Sequence, residues 1–167
     1  ITFDSEPLSA EMAIAGDLSA QLYVSSSALD TDFYVTVEDL NPITRKSILV
    51  RYGMARMRWR ESDVTSILME ADEVYQIDIG LWASAYIFPQ GHSVRVSISS
   101  AAYPYYSLNS NSGKGLYAED DEPVAATNSI HMSTQYPSSV SLPVVSLSDI
   151  PENPDFAPTL STLSLLV

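Results

Sequence analysis

Three arginines at alternate positions, Arg56, Arg58 and Arg60, are separated by Met57 and Trp59. In a strand, successive side chains turn to opposite faces. One face would then carry three guanidinium groups about 6.6 to 6.8 Å apart, and the other an apolar ridge. Such a row either holds an anion or is neutralised by carboxylates. Asp30, Asp32, Glu38 and Asp39 lie on neighbouring segments, so the expectation is an inter-strand ion-pair ladder. Tyr103-Pro-Tyr-Tyr106, with Asn109 and Asn111 close behind, offers flat aromatic faces and amide donors and acceptors. Tyr103, Tyr105, Tyr106, Asn109 and Asn111 are therefore the candidate glycan- or partner-binding residues, although tyrosine beside proline is also ordinary at a sandwich corner.

No residues combine into a catalytic or metal centre. A serine hydrolase of the α/β type needs a strained Gly-x-Ser-x-Gly elbow to lift its nucleophile above the sheet. The glycines at 16, 53, 80, 91, 113 and 115 form no such motif. Gly91-His-Ser93 is the nearest approach, but His92 and Ser93 are adjacent at the start of a strand and point to opposite faces. His92 and His131 lack a third ligand at a recognisable spacing. Glu119-Asp-Asp-Glu122 has carboxylates suited to calcium but not an alternating aspartate spacing, and reads as a solvated loop. The expectation is no catalytic residue, no metal and no cofactor.

The elements that position these groups are strands. Leu18, Ala20, Leu22 and Val24 alternate with polar residues, as do Phe33, Val35 and Val37, then Tyr75, Ile77, Ile79 and Leu81, then Val94, Val96 and Ile98, and finally Val140, Leu142 and Val144. Breaks fall at Gly16-Asp17, 28–32, Asn41-Pro42, 89–91 and 109–113. Short alternating runs between polar turns describe an all-β antiparallel β-sandwich, each sheet with one buried and one wet face. Between Glu61 and Glu73, Val64, Ile67 and Leu68 fall at helical spacing, so this segment is either a short helix or an irregular loop. Pro151-Glu-Asn-Pro-Asp-Phe-Ala-Pro158 reads as a stiffened connector, which divides the chain into a sandwich over 1–145 and a Pro-rich connector with an apolar tail over 146–167.

The composition narrows the partners. Twenty-one acidic against eight basic residues give a net charge of −13, which repels phosphate backbones and anionic membrane surfaces; neither nucleic acid nor a membrane is expected as a partner. The absence of cysteine excludes disulfides and thiolate chemistry and leaves the compartment open. No apolar run approaches membrane-spanning length. The chain opens on Ile1, which is expected of a fragment or a processed product.

Several motifs, in order, resemble one family. Ile1-Thr-Phe-Asp-Ser-Glu-Pro-Leu8, the strand from Gly16 to Ser26, Asp30-Thr-Asp-Phe33, Gly53-Met-Ala-Arg-Met-Arg-Trp-Arg60 and Phe88-x-x-Gly-His92 come first. Tyr103-Pro104, Asn109-x-Asn-x-Gly113, Asn128-x-Ile-His131 and Pro137-Ser138 before Leu142-Pro143-Val144 follow. Together they resemble the C-terminal β-sandwich domain of the X-Pro dipeptidyl-peptidase and cocaine-esterase hydrolases. Tyr105 stands where that family tends to be basic, and the loop from Gly115 to Glu122 is unusually acidic.

The resemblance implies a jelly-roll (galactose-binding-like) sandwich without catalytic residues, packed on the α/β-hydrolase core of a serine hydrolase. The implied partner is that hydrolase domain, or another chain that completes the sandwich. The family's sandwich starts before the segment resembling Ile1. The uncharged tail, with Leu163, Leu165 and Val167 on one face, also suggests homo-oligomers formed by strand donation. Two other functions remain open from the residues: a free-standing glycan-binding module, and a structural subunit assembling by β-strand addition.

Overall fold

The computed structural model describes residues 1–115 and 118–149. Nine strands follow in chain order: β1 (Thr2–Asp4), β2 (Met12–Ser26), β3 (Asp32–Leu40), β4 (Ser47–Arg56), β5 (Tyr75–Phe88), β6 (Ser93–Ser99), β7 (Asn128–His131), β8 (Ser139–Ser141) and β9 (Val144–Val145). Short 3₁₀ turns cover Met57–Trp59 and Leu147–Asp149, and no α-helix occurs among the described residues. The strands form two antiparallel sheets: one of order β1-β6-β3-β4, and a second in which β2 pairs with β5 along one edge and with β7, β8 and β9 along the other.

The alternating apolar residues meet between the sheets. Leu18, Leu22 and Val24 of β2 and Ile77, Ile79 and Leu81 of β5 face Phe33, Val35 and Val37 of β3, all of them buried. Each such side chain removed from water contributes about 1.5–3 kcal/mol of transfer free energy, which makes this layer the main support of the fold. Met57 and Met69 join the same cluster. At one edge the sheets touch backbone to backbone: a Cβ added at Gly53 in β4 would stand 2.4 Å from the Gly80 carbonyl oxygen in β5. Close by, Arg51 Nε donates to the Ala83 carbonyl at 2.6 Å.

The structure departs from the expected elements in three places. β2 runs straight through Gly16-Asp17, because a bulge between Asp17 and Ser19 absorbs the irregularity without ending the ladder. Opposite it, Trp82 adopts φ 67°, a left-handed conformation unusual for a bulky residue. The burial phase of β5 slips there by one residue, from Ile77, Ile79 and Leu81 to Ser84, Tyr86 and Phe88. The run at Val140, Leu142 and Val144 splits into β8 and β9, with Leu142 and Pro143 between them. Residues 61–73 take the irregular of the two forms expected for them, tied down where Ile67 N donates to Arg58 O and Met69 N to Leu29 O, both at 2.8 Å. From residue 150 onward the expected connector and tail lie outside the described residues.

Candidate functional site

The arginines do not share one strand face. β4 ends at Arg56, since its neighbour β3 begins only at Asp32, and the two residues pair as the last rung. Beyond that rung the amides find other acceptors. Met57 N donates to Thr31 O at 2.9 Å, and Arg58 N donates to Asp30 Oδ1, also at 2.9 Å. The chain therefore winds into the 3₁₀ turn, with Met57 buried and Trp59 half exposed.

Each guanidinium has its own partners. Arg56 grips Asp32 through Nε and a terminal nitrogen, both at 2.8 Å, and donates to Ser107 O. Arg58 Nε reaches Asp30 at 2.7 Å while its terminal nitrogen donates to Lys114 O at 2.6 Å. Arg60 turns away. It donates to Met57 O and Ile67 O, meets Glu61 at 3.1 Å and lies 4.4 Å over the Tyr75 ring. The hydrogen bonds that Arg56 donates to Asp32 raise its pKa further, against its burial.

Glu38 and Asp39, expected to oppose these arginines, serve other groups, because the ladder carries them to the far end of β3. Burial pushes the Glu38 carboxyl pKa up, but hydrogen bonds from Thr36, Ser47 and Ser97 outweigh it and hold the pKa below its usual value. Asp39, fully buried, accepts from Tyr86 Oη and pairs with His92 Nδ1, both at 2.7 Å. Asn41 Oδ1 already accepts the amides of Ile43 and Thr44, so its Nδ2 faces His92 Nε2 at 3.2 Å. That contact makes Nε2 the acceptor and places the ring proton on Nδ1, toward Asp39. His92 thus ties the end of β3 to the start of β6. His131 lies apart, with Nε2 3.0 Å from Ser25 Oγ.

Burial, then the hydrogen bond to Asp39, pushes the Tyr86 hydroxyl pKa up to about 12. Below pH about 10 the hydroxyl is protonated in both folded and unfolded chains. Between pH 10 and about 12 only the unfolded chain gives up this proton, so stability is expected to fall across that window. In a pH series of urea melts, Tyr86→Phe should lose this share of the slope. An identical slope in the variant would refute it.

The candidate binding residues divide into two groups. Tyr103 and Tyr105 are exposed on a loop with a cis Tyr103–Pro104 bond. Tyr106 packs edge-on against Tyr34, with ring centres 5.8 Å apart. The asparagines face inward. Asn109 Nδ2 donates to Asp30 at 3.0 Å and to Asp32 at 2.8 Å, and its Oδ1 accepts the Asn111 amide. Asn111 Nδ2 donates to Val124 O. Asn109 thus bridges the two aspartates that hold Arg56 and Arg58, a role that spacing alone does not reveal because the residues are far apart in the chain. In the acidic loop, Asp120 pairs with Lys114 at 2.8 Å and Asp121 accepts from Ser112. Among the described residues, no three His, Asp or Glu side chains gather as metal ligands.

The result is an antiparallel β-sandwich whose charged residues at this end hold its own loops in place. Comparison with known proteins gives it a family. Residues 1–141 match the X-Pro dipeptidyl-peptidase C-terminal non-catalytic domain, and the chain belongs to that family. It is 38% identical over 146 residues to the cocaine esterase of Rhodococcus sp. (strain MB1 Bresler), covering 87% of this chain and 25% of that protein. Among solved structures, an α-amino acid ester hydrolase superposes with a TM-score of 0.82 at 28% identity, over 87% of this chain and 25% of that one. An aminopeptidase from a marine sediment Thaumarchaeota archaeon shares the fold, with a TM-score of 0.81 at 24% identity over 87% of this chain and 26% of its own. The chain thus spans about a quarter of the length of these relatives.

Proposed function

We propose that this chain acts as the non-catalytic C-terminal domain of a serine hydrolase that cleaves amide or ester bonds. It packs on the α/β-hydrolase core, stabilises it and helps to shape the acyl pocket. X-Pro dipeptides, acyl esters and β-lactam side chains are the substrate classes that fit the resemblance. The observation that carries this reading is the family match across 1–141 within relatives about four times as long. The internal engagement of Arg56, Arg58, Asn109 and His92 supports it, since these groups already have partners within the sandwich.

The purified chain is expected to leave X-Pro anilides and activated esters intact, while the longer polypeptide encoded by the complete reading frame hydrolyses one of them. Excising this chain from that polypeptide should lower the Tm of the remainder. Turnover by the chain alone that vanishes in Ser93→Ala would overturn the non-catalytic role. An unchanged Tm of the remainder would overturn the stabilising one.

A second reading, strand addition that completes the sandwich or links copies into homo-oligomers, has one observation in its favour. Between β1 and β6 on one side and β7 and β8 on the other lies an open cleft of about 380 Å³. It is lined by Phe3, Leu22, Val94, Val96, Ile130 and Val140, beside two three-residue strands. An extended apolar segment would cover these side chains and pair with a free edge. If the tail supplies it, deleting residues 159–167 should reduce both the molecular size in solution and Tm. No change in either removes the tail from consideration.

A further inference from the structure

Six large apolar residues at the Arg56–Arg60 end of the sandwich, Leu29, Trp59, Ile67, Leu68, Leu108 and Val124, are each between 37% and 61% exposed. They belong to one surface. A Cβ at Gly113 would stand 3.1 Å from Leu29 and 3.2 Å from Leu68, and backbone bonds join Ile67 to Arg58 and Val124 to Ser110. Trp59, Leu108, Ser110 and Pro123 line one open cavity of about 600 Å³ with Asp30, Arg56 and Arg58 at its wall. A contiguous apolar patch rimmed by polar groups marks a contact surface rather than scattered exposure.

The charge on this surface is unusual for the chain. Arg56, Arg58, Arg60 and Lys114 are half of its eight basic residues, and each meets a carboxylate here: Asp32, Asp30, Glu61 and Asp120. These four pairs cancel, so each of these cations is neutralised at the surface, and Asp121 at the same cavity wall accepts from Ser112. A surface that is apolar, has its cations paired and is anchored by a tryptophan suits a permanent, dehydrated interface, where unpaired charge is costly.

We infer that this face, formed by the β2–β3 turn, the 3₁₀ turn after β4 and the segments around Leu68, Leu108 and Val124, is where the sandwich docks on the catalytic portion of its parent polypeptide. The inference rests on the docking reading above and adds the surface used. The occupant follows from length, since about three quarters of each matched relative lies outside the part this chain covers. Arg58 and Asn109 are positioning residues here. By bonding Lys114 O and the two aspartates, they hold the segment carrying Leu108 against the 3₁₀ turn carrying Trp59.

Amide hydrogen exchange measured on the chain alone and within the longer polypeptide tests this directly. The expected result is exchange slowed roughly tenfold or more at 57–70 and 107–115 in the longer form, with little change around Trp82. Protection around Trp82 instead would overturn this face and leave docking intact. Protection nowhere would overturn docking itself. A dimer of the isolated chain that Leu108→Glu abolishes would assign the face to a second copy and overturn the occupant proposed. The double variant Trp59→Ser, Leu108→Glu should leave the Tm of the isolated chain nearly unchanged but split the melt of the longer polypeptide into two transitions. A single unshifted transition there would overturn the inference.

Discussion

Gly53→Ala is expected to destabilise the sandwich by about 3 kcal/mol or more, near the upper end for overpacking a core. Gly53 lies in β4 opposite Val35, and its inward side looks directly at β5. The new methyl would stand 2.4 Å from the Gly80 carbonyl oxygen, 2.8 Å from Leu81 Cδ2 and 3.0 Å from Ile79 Cγ2. A flexible side-chain tip can swing aside, but a carbonyl oxygen in a strand ladder moves only if the ladder moves. Relief therefore requires the two sheets to separate at the edge where Arg51 also bonds Ala83. Gly80→Ala is the matched control, since a Cβ there meets nothing within 4 Å. Urea midpoints with unchanged m-values should show a large loss for Gly53→Ala and a loss within about 1 kcal/mol for Gly80→Ala. Equal losses would mean that the close approach of β4 and β5 does not limit stability.

Asp30→Ala should cost about 3 to 5 kcal/mol, the scale for breaking a buried ion pair from one side. The Asp30 side chain is 1% exposed and that of Arg58 12%. The carboxylate accepts Arg58 Nε, Arg58 N and Asn109 Nδ2, so truncation strands three donors and leaves a cation with little access to water. Arg58→Met should cost less, about 1 to 3 kcal/mol, because Asp30 keeps its two remaining donors. The double variant Asp30→Ala, Arg58→Met should be more stable than the sum of the singles implies, by at least about 1 kcal/mol. Strict additivity would show that the two side chains are not energetically coupled.

What could be read from the residue order were features of local period. The alternation at Leu18–Val24, Phe33–Val37 and Ile77–Leu81 marks strands with one buried face, and these residues do form the layer between the sheets. A period of two is a property of the strand itself and needs no knowledge of its neighbours. The charge pattern offered Asp30, Asp32, Glu38 and Asp39 together as partners for the arginines and did not choose among them; in the structure Asp32 meets Arg56 and Asp30 meets Arg58. Membership of a family of non-catalytic domains was legible in the ordered motifs, which no single motif carries.

Tertiary contacts decided the rest. Alternation at Arg56–Arg60 predicted a continuing strand, yet a strand persists only while a neighbour supplies hydrogen bonds. β3 begins at Asp32, so the amides of Met57 and Arg58 turned to Thr31 O and the Asp30 carboxylate. The phase slip at Trp82 has no local signature, because it answers a bulge in β2 more than sixty residues earlier. Asn109, placed by its type among groups for an external ligand, bridges two aspartates some eighty residues away in sequence. Sequence by itself determined which residues alternate and which family the chain belongs to, since these follow from composition and order. Only the three-dimensional pairing of distant strands decided where each ladder stops, which carboxylate meets which cation and which apolar side chains remain outside, because those outcomes depend on backbone groups brought together by folding.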